Sequence, residues 1–89
     1  MLLRTSLHFV ARDRQVAVVA ALASHLRDGG RFVVVEYDAD HGNHWVPYPF
    51  TYRTWEQLAT GAGLTGTARL DHVPSRFLGG IYSAVASRL

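Results

Sequence analysis

Glu36 is the residue whose position asks most for an explanation. It ends the run Arg31-Phe32-Val33-Val34-Val35-Glu36-Tyr37, in which apolar residues otherwise dominate. A carboxylate at the end of a dry strand is costly unless something compensates it. In an open α/β sheet the ligand crevice lies beyond the carboxyl ends of the strands. Glu36 or Tyr37 can therefore line a substrate pocket there; the plainer alternative is a Glu36 that reaches solvent or pairs with an arginine. His8 stands between Leu7 and Phe9. It reads either as a packed histidine with one ring nitrogen satisfied or as a pocket residue at the top of the sheet.

Three further groups carry weaker chemistry. Asp38, Asp40, His41 and His44 follow the strand closely and offer oxygen and imidazole donors to a divalent metal. A polar loop after a strand holds such residues in any case, so no metal is assigned. Trp45, Tyr48 and Phe50, spaced by Pro47 and Pro49, form an aromatic loop that can serve as a lid or as a plug over the sheet end. Ser75 and Arg76 read as part of a turn. With no G-x-S-x-G elbow and no Asp–His pair at hydrolase spacing, hydrolysis is not expected.

The elements that would position these residues are legible as pattern. Asp13 reads as a helix N-cap, and Val16, Val19, Ala20, Ala23 and Leu26 recur at helical spacing behind it. Asp28-Gly29-Gly30 supplies a stop. The β-branched and aromatic run that follows is continuous, as in a strand covered on both faces. A helix feeding such a strand is half of a right-handed crossover. Residues 38–50 read as a loop. Thr51 is a second N-cap, Trp55, Leu58, Ala59 and Ala62 form a second stripe, and Gly61 or Gly63 ends it. Residues 65–73 and 80–88 read as strands. The short connection between them, Pro74 to Gly80, predicts an antiparallel pair.

Gly61-Ala62-Gly63-Leu64-Thr65-Gly66 is a literal G-x-G-x-x-G. The dinucleotide fingerprint needs a strand before it, a helix after it and an acid about 20 residues on. Here a helix precedes, a strand follows, and no Asp or Glu occurs after Asp71. These glycines read as a helix end and a tight turn.

Composition excludes other classes. The 89 residues are 48% hydrophobic and 18% charged, which suits one small globular domain. All nine basic residues are arginines, dispersed among seven acids for a net charge of +2, so there is no basic stripe for nucleic acid. Cysteine is absent, which removes disulfides, thiolate ligands and thiol nucleophiles. No apolar run reaches the ~18 residues of a membrane span. Arg12 and Arg14 before Val16–Leu22, with Ala21-Leu22-Ala23 behind, imitate an export signal, but the segment reads better as a helix. A cytoplasmic protein is expected, with partners among neither nucleic acids nor membranes.

Taken together, the residues resemble the second half of a class I S-adenosylmethionine-dependent methyltransferase over nearly the whole chain. Leu2-Leu3-Arg4-Thr5-Ser6-Leu7-His8-Phe9 is similar to that family's fourth strand and the loop after it. Leu26-Arg27-Asp28-Gly29-Gly30-Arg31-Phe32 resembles its Leu-x-Pro-Gly-Gly turn before strand five. Ala62-Gly63-Leu64 resembles the Ala-Gly-Phe that ends the next helix. The last two strands look like the closing hairpin. The resemblance implies a partial Rossmann-like α/β sheet in the order 4-5-7-6, with the last strand antiparallel and two helices. It implies Ser6, Leu7 and His8 near the S-adenosylmethionine cofactor. Glu36, Tyr37, His44 and Trp45 fall on the substrate side, facing a small-molecule acceptor. The family's glycine-rich cofactor loop and the acid that holds the ribose have no counterpart in this chain. An inactive or incomplete transferase is therefore expected, completed by an N-terminal half or paired as a homodimer. The alternative is a non-catalytic α/β module that self-associates through an open sheet edge.

Overall fold

The computed structural model describes residues 2–74 and 80–88. Ser75, Arg76 and most of the connection before Gly80 lie outside the described residues. The chain is α/β: a four-stranded mixed sheet with two helices. Strand β1 (Leu2–Thr5) is followed by a single 3-10 turn (Arg12–Arg14), helix α1 (Gln15–Ala23) and strand β2 (Arg31–Tyr37). Helix α2 (Tyr52–Gly61) precedes strands β3 (Thr65–Val73) and β4 (Ile81–Ser87). The sheet order is β1-β2-β4-β3. Strands β1 and β2 are parallel, with Leu2 opposite Arg31 and Thr5 opposite Val34. Strand β4 runs antiparallel to both β2 and β3.

Strand β2 is buried on one face, where the sequence suggested two. Phe32, Val34 and Glu36 are buried, while Val33, Val35 and Tyr37 between them are only partly covered. The same alternation holds in β4, where Tyr82, Ala84 and Ala86 are buried. Both helices pack on this one side. Val19 and Ala23 from α1, with Trp55, Leu58 and Ala59 from α2, join Phe32, Val34, Ala84 and Ala86 in a single core. The Trp55 ring sits 5.6 Å from Phe32 and is stacked 6.4 Å from Phe50. Alanines at positions 84 and 86 leave room for that indole, which buries completely. A continuous β-branched run carries no period-2 signal, so it cannot tell one covered face from two.

The helix ends differ in how closely they follow the sequence reading. Thr51 caps α2 as expected, its hydroxyl accepting from the Thr54 amide. Asp13 does not cap α1: it lies inside the 3-10 turn, and no side chain bonds the first free amides of α1. Helix α1 also stops at Ala23, short of the predicted stripe to Leu26, which is buried from the following turn. Its terminal carbonyls are satisfied from far away in sequence. Arg88 Nη1 donates to the carbonyls of Ala23, Ser24 and Leu26 at 2.9, 3.1 and 2.7 Å. Gly29 then turns the chain with φ of 81°, a conformation that costs glycine little.

Strand β3 is exposed along almost its whole length, and its pairing with β4 shifts twice. Ala68 and Leu70 face solvent; Leu70 is 58% exposed. The strand contributes backbone pairing to the sheet edge and little to the core.

Candidate functional site

The parallel pair β1–β2 puts two chain ends side by side at its carboxyl edge, one leaving as residues 6–10 and the other as the 38–50 loop. Four hydrogen bonds weld these segments. Ser6 Oγ donates to the Val35 carbonyl at 2.7 Å, and the Leu7 amide donates to Glu36 Oε2. His8 Nδ1 lies 3.0 Å from Glu36 Oε1, and the Tyr48 amide donates to the His8 carbonyl at 2.9 Å.

Glu36 is therefore neither solvent-exposed nor paired with an arginine. It is 1% exposed and both its oxygens are engaged. Its position follows from the pleat: as the third inward residue of β2 after Phe32 and Val34, it faces the helix side at the level where β1 has ended. Burial raises its carboxyl above the usual 4.5; the Leu7 amide and the neighbouring His8 oppose this without cancelling it. Opposite it in the sheet stands Tyr82. The Tyr82 hydroxyl donates to the Phe50 carbonyl at 2.6 Å. Burial, and then the charges of Glu36, Asp38 and Asp40, hold that phenol well above its ordinary range.

His8 keeps 14% of its side chain exposed. Its ring lies against Phe9, with centroids 4.2 Å apart, and meets the Tyr37 ring edge-on at 5.9 Å. Beyond Tyr37 a shallow cavity of about 230 Å³ opens, walled by Tyr37, Asn43, Trp45 and Val46. Asn43 Oδ1 accepts from the amides of Trp45 and Val46 at 2.9 and 2.8 Å, which folds this wall into a defined turn. Trp45 is 80% exposed, with the exposed His44 ring edge-on to it at 5.4 Å. The aromatic loop thus divides. Phe50 and Pro49 are fully buried and plug the sheet end, whereas Trp45 stands out at the cavity rim.

Of the residues picked out from sequence, Leu7, His8 and Glu36 are brought into one hydrogen-bonded cluster, with Ser6 beside them on the Val35 carbonyl. Tyr37 meets the His8 ring edge-on and, with Trp45, walls the cavity; His44 lies outside the cavity wall. The acid-and-histidine loop does not converge on a metal: among the described residues no three of these donors come together. Asp40 instead accepts from the Thr51 amide and hydroxyl and from Thr54 Oγ1, at 3.1, 3.1 and 2.7 Å. Burial alone would raise the Asp40 carboxyl. The Thr54 and Thr51 bonds and the Arg12 charge outweigh it and hold the group below its usual value. Asp38 lies 3.4 Å from His72 on β3.

Two supporting residues had no motif to announce them. Gln15, completely buried at the start of α1, donates through Nε2 to the carbonyls of Val10 and Tyr48 at 3.2 and 2.9 Å. Arg12 donates to the carbonyls of Asp40 and Pro49 at 2.9 and 2.6 Å. Together they lock the 38–50 loop onto the segment that carries His8. The one available signal was a glutamine where the helical stripe begins.

No protein-family model and no curated protein matches this chain.

Proposed function

We propose that the chain is the substrate-side half of a class I S-adenosylmethionine-dependent methyltransferase sheet, incomplete as a cofactor site by itself. The observation that carries this reading is the strand arrangement. A parallel pair joined through a helix, then a last strand inserted antiparallel between the second and third, is the order 4-5-7-6 of that family's second half. The polar cluster at the carboxyl edge of β1 and β2 adds support, because ligands of open α/β sheets bind at that edge. The sheet face opposite the helices, which carries Val33, Val35, Ile81 and Val85, is only partly covered among the described residues. The family's remaining helices would lie on that face.

In a complete site the cofactor would supply the methyl group. The segment Ser6–His8 would border it, and Glu36, Tyr37 and Trp45 would face the acceptor. Much of such a transfer is alignment and exclusion of water. A base matters where the attacking atom still carries its proton.

Titration with S-adenosylmethionine, followed by amide spectra and calorimetry, tests the reading. Weak binding, on the order of millimolar, should perturb the amides of Ser6, Leu7 and His8. Absence of any perturbation there would refute the family reading. Micromolar affinity would refute the claim of incompleteness.

A second reading, a self-associating α/β module, rests on a different observation. Among the described residues strand β1 is hydrogen-bonded on one side only, and Leu2 on it is 63% exposed. An open edge beside a partly apolar face is a template for a second copy.

A further inference from the structure

The sheet face opposite the helices is ordered by register into rows across the strands. One row runs Arg4, Val33, Val85 and Ala68; the next runs Val35, Ser83 and Asp71; a third runs Tyr37, Ile81 and Val73. The apolar side chains of β2 and β4 therefore fill the middle of the face. Two charges lie outside them, Arg4 on β1 at one edge of the sheet and Asp71 on β3 at the other. Both are exposed, and among the described residues neither has an ion-pair partner. They line one groove of about 250 Å³ together with Val35, Val73, Ile81 and Ser83. Arg31 stands at the rim of the face, where β2 begins.

An opposite charge at each edge makes this face complementary to itself. A two-fold axis between two stacked sheets, along the strands, sets β1 of each copy over β3 of the other and β2 over β4. Val33 and Val35 then meet the partner's Ile81 and Val85, and Arg4 reaches the partner's Asp71. Arg4 and Asp71 are one row out of line. The crossing of roughly 30° usual for stacked sheets, with the length of an arginine, spans that offset. The free edge of β1 is the competing contact. It is four residues long, and so short an edge offers few backbone groups to a neighbour. Edge pairing would also leave Asp71 outside the contact, because β3 is the strand furthest from β1.

We propose that the open sheet face is a docking surface for a second copy of this chain, stacked face to face and registered by two reciprocal Arg4–Asp71 pairs. This rests on the self-association reading and names its surface and register. A sheet face of this size covers roughly 20 by 20 Å. That is small for a stable interface, so the dissociation constant should be on the order of micromolar.

Sedimentation of the chain over a wide concentration range should show a monomer–dimer equilibrium. Arg4→Glu sets a like charge against Asp71, and Asp71→Arg sets one against Arg4. Each should weaken the dimer about tenfold with the circular dichroism unchanged. The double variant restores both pairs in reversed order and should recover the dimer. The decisive sample mixes the two single variants, one of them carrying a fluorophore. Each supplies the charge the other lacks, so the labelled chain should enter a heterodimer tighter than either variant's own dimer. A monomer at every concentration overturns the proposal together with the self-association reading. A dimer indifferent to Asp71→Arg, or single variants that do not recombine on mixing, overturns the proposal alone and leaves association through the β1 edge.

Discussion

At Glu36, burial and hydrogen bonding pull in opposite directions, and burial prevails. The consequence for stability has a definite sign. As pH rises through 4.5 the unfolded chain loses its Glu36 proton first, so it holds fewer protons than the folded chain and folding becomes less favourable. That loss continues until the folded carboxyl has also ionised. Chemical denaturation of wild type and Glu36→Gln across this window should therefore show wild type losing ground as pH rises; a gap that stays flat would contradict the raised carboxyl. Asp40 behaves oppositely. Its folded value lies below 3.8, so its contribution is complete above 3.8 and fades as pH falls through the folded value. In Asp40→Asn that acid-side loss should be smaller, as read by melting temperature against pH.

Among the elements, both helices depend on side chains at their ends. Thr51→Ala removes the acceptor for the Thr54 amide and should cost about 1 kcal/mol in urea denaturation. The end of α1 is more exposed to failure, because a single guanidinium bonds the carbonyls of Ala23, at its end, and of Ser24 and Leu26, just past it. Arg88→Met keeps much of the length and loses those bonds. We expect a cost of roughly 1–3 kcal/mol, with amide exchange fastest at the end of α1. Unchanged protection at Ser24–Leu26 would show that the carbonyls find other partners. The contact between α2 and the sheet rests on Trp55, whose ring meets both Phe32 and Phe50. Trp55→Ala should cost about 3–5 kcal/mol and unfold much of a domain this small. Gly80 is tied to the same edge of the sheet. With φ of 129° and the His72 ring where a Cβ would sit, it does not accept a side chain. Its carbonyl accepts from the Asp38 amide at 2.8 Å.

For the molecule as a whole, the uneven burial of the sheet is the main physical fact. One face carries the core and the other carries Val33, Val35, Ile81 and Val85 without a helix over them among the described residues. If that face and the free side of β1 pair with a second copy, as the module reading requires, sedimentation will show a species heavier than one chain. Val35→Lys, on the open face, should then return it to a monomer with its helical signal intact. A monomer at all concentrations would remove the module reading and leave the transferase reading untouched.

The α/β class, the Thr51 cap, the second helix and the antiparallel final pair were legible in the chain because each is set by local spacing or by the length of a connection. The G-x-G-x-x-G reading was also local: Gly63, with φ of 83°, follows α2 and precedes β3. Sequence also singled out Ser6, Leu7, His8 and Glu36, and it could not join them. The Glu36–His8 pair spans 28 residues and the Arg88–Ala23 bond spans 65. Such partners meet only when the sheet register brings two strand ends level. The same limit explains Gln15, Arg12 and the length of α1, since their hydrogen bonds are supplied by loops distant in sequence. Residue type and spacing determined which elements form and where a charge would be awkward. Only the tertiary structure decided that Glu36 is buried against His8 and not in water, because the cost of that burial is offset by donors that other parts of the fold provide.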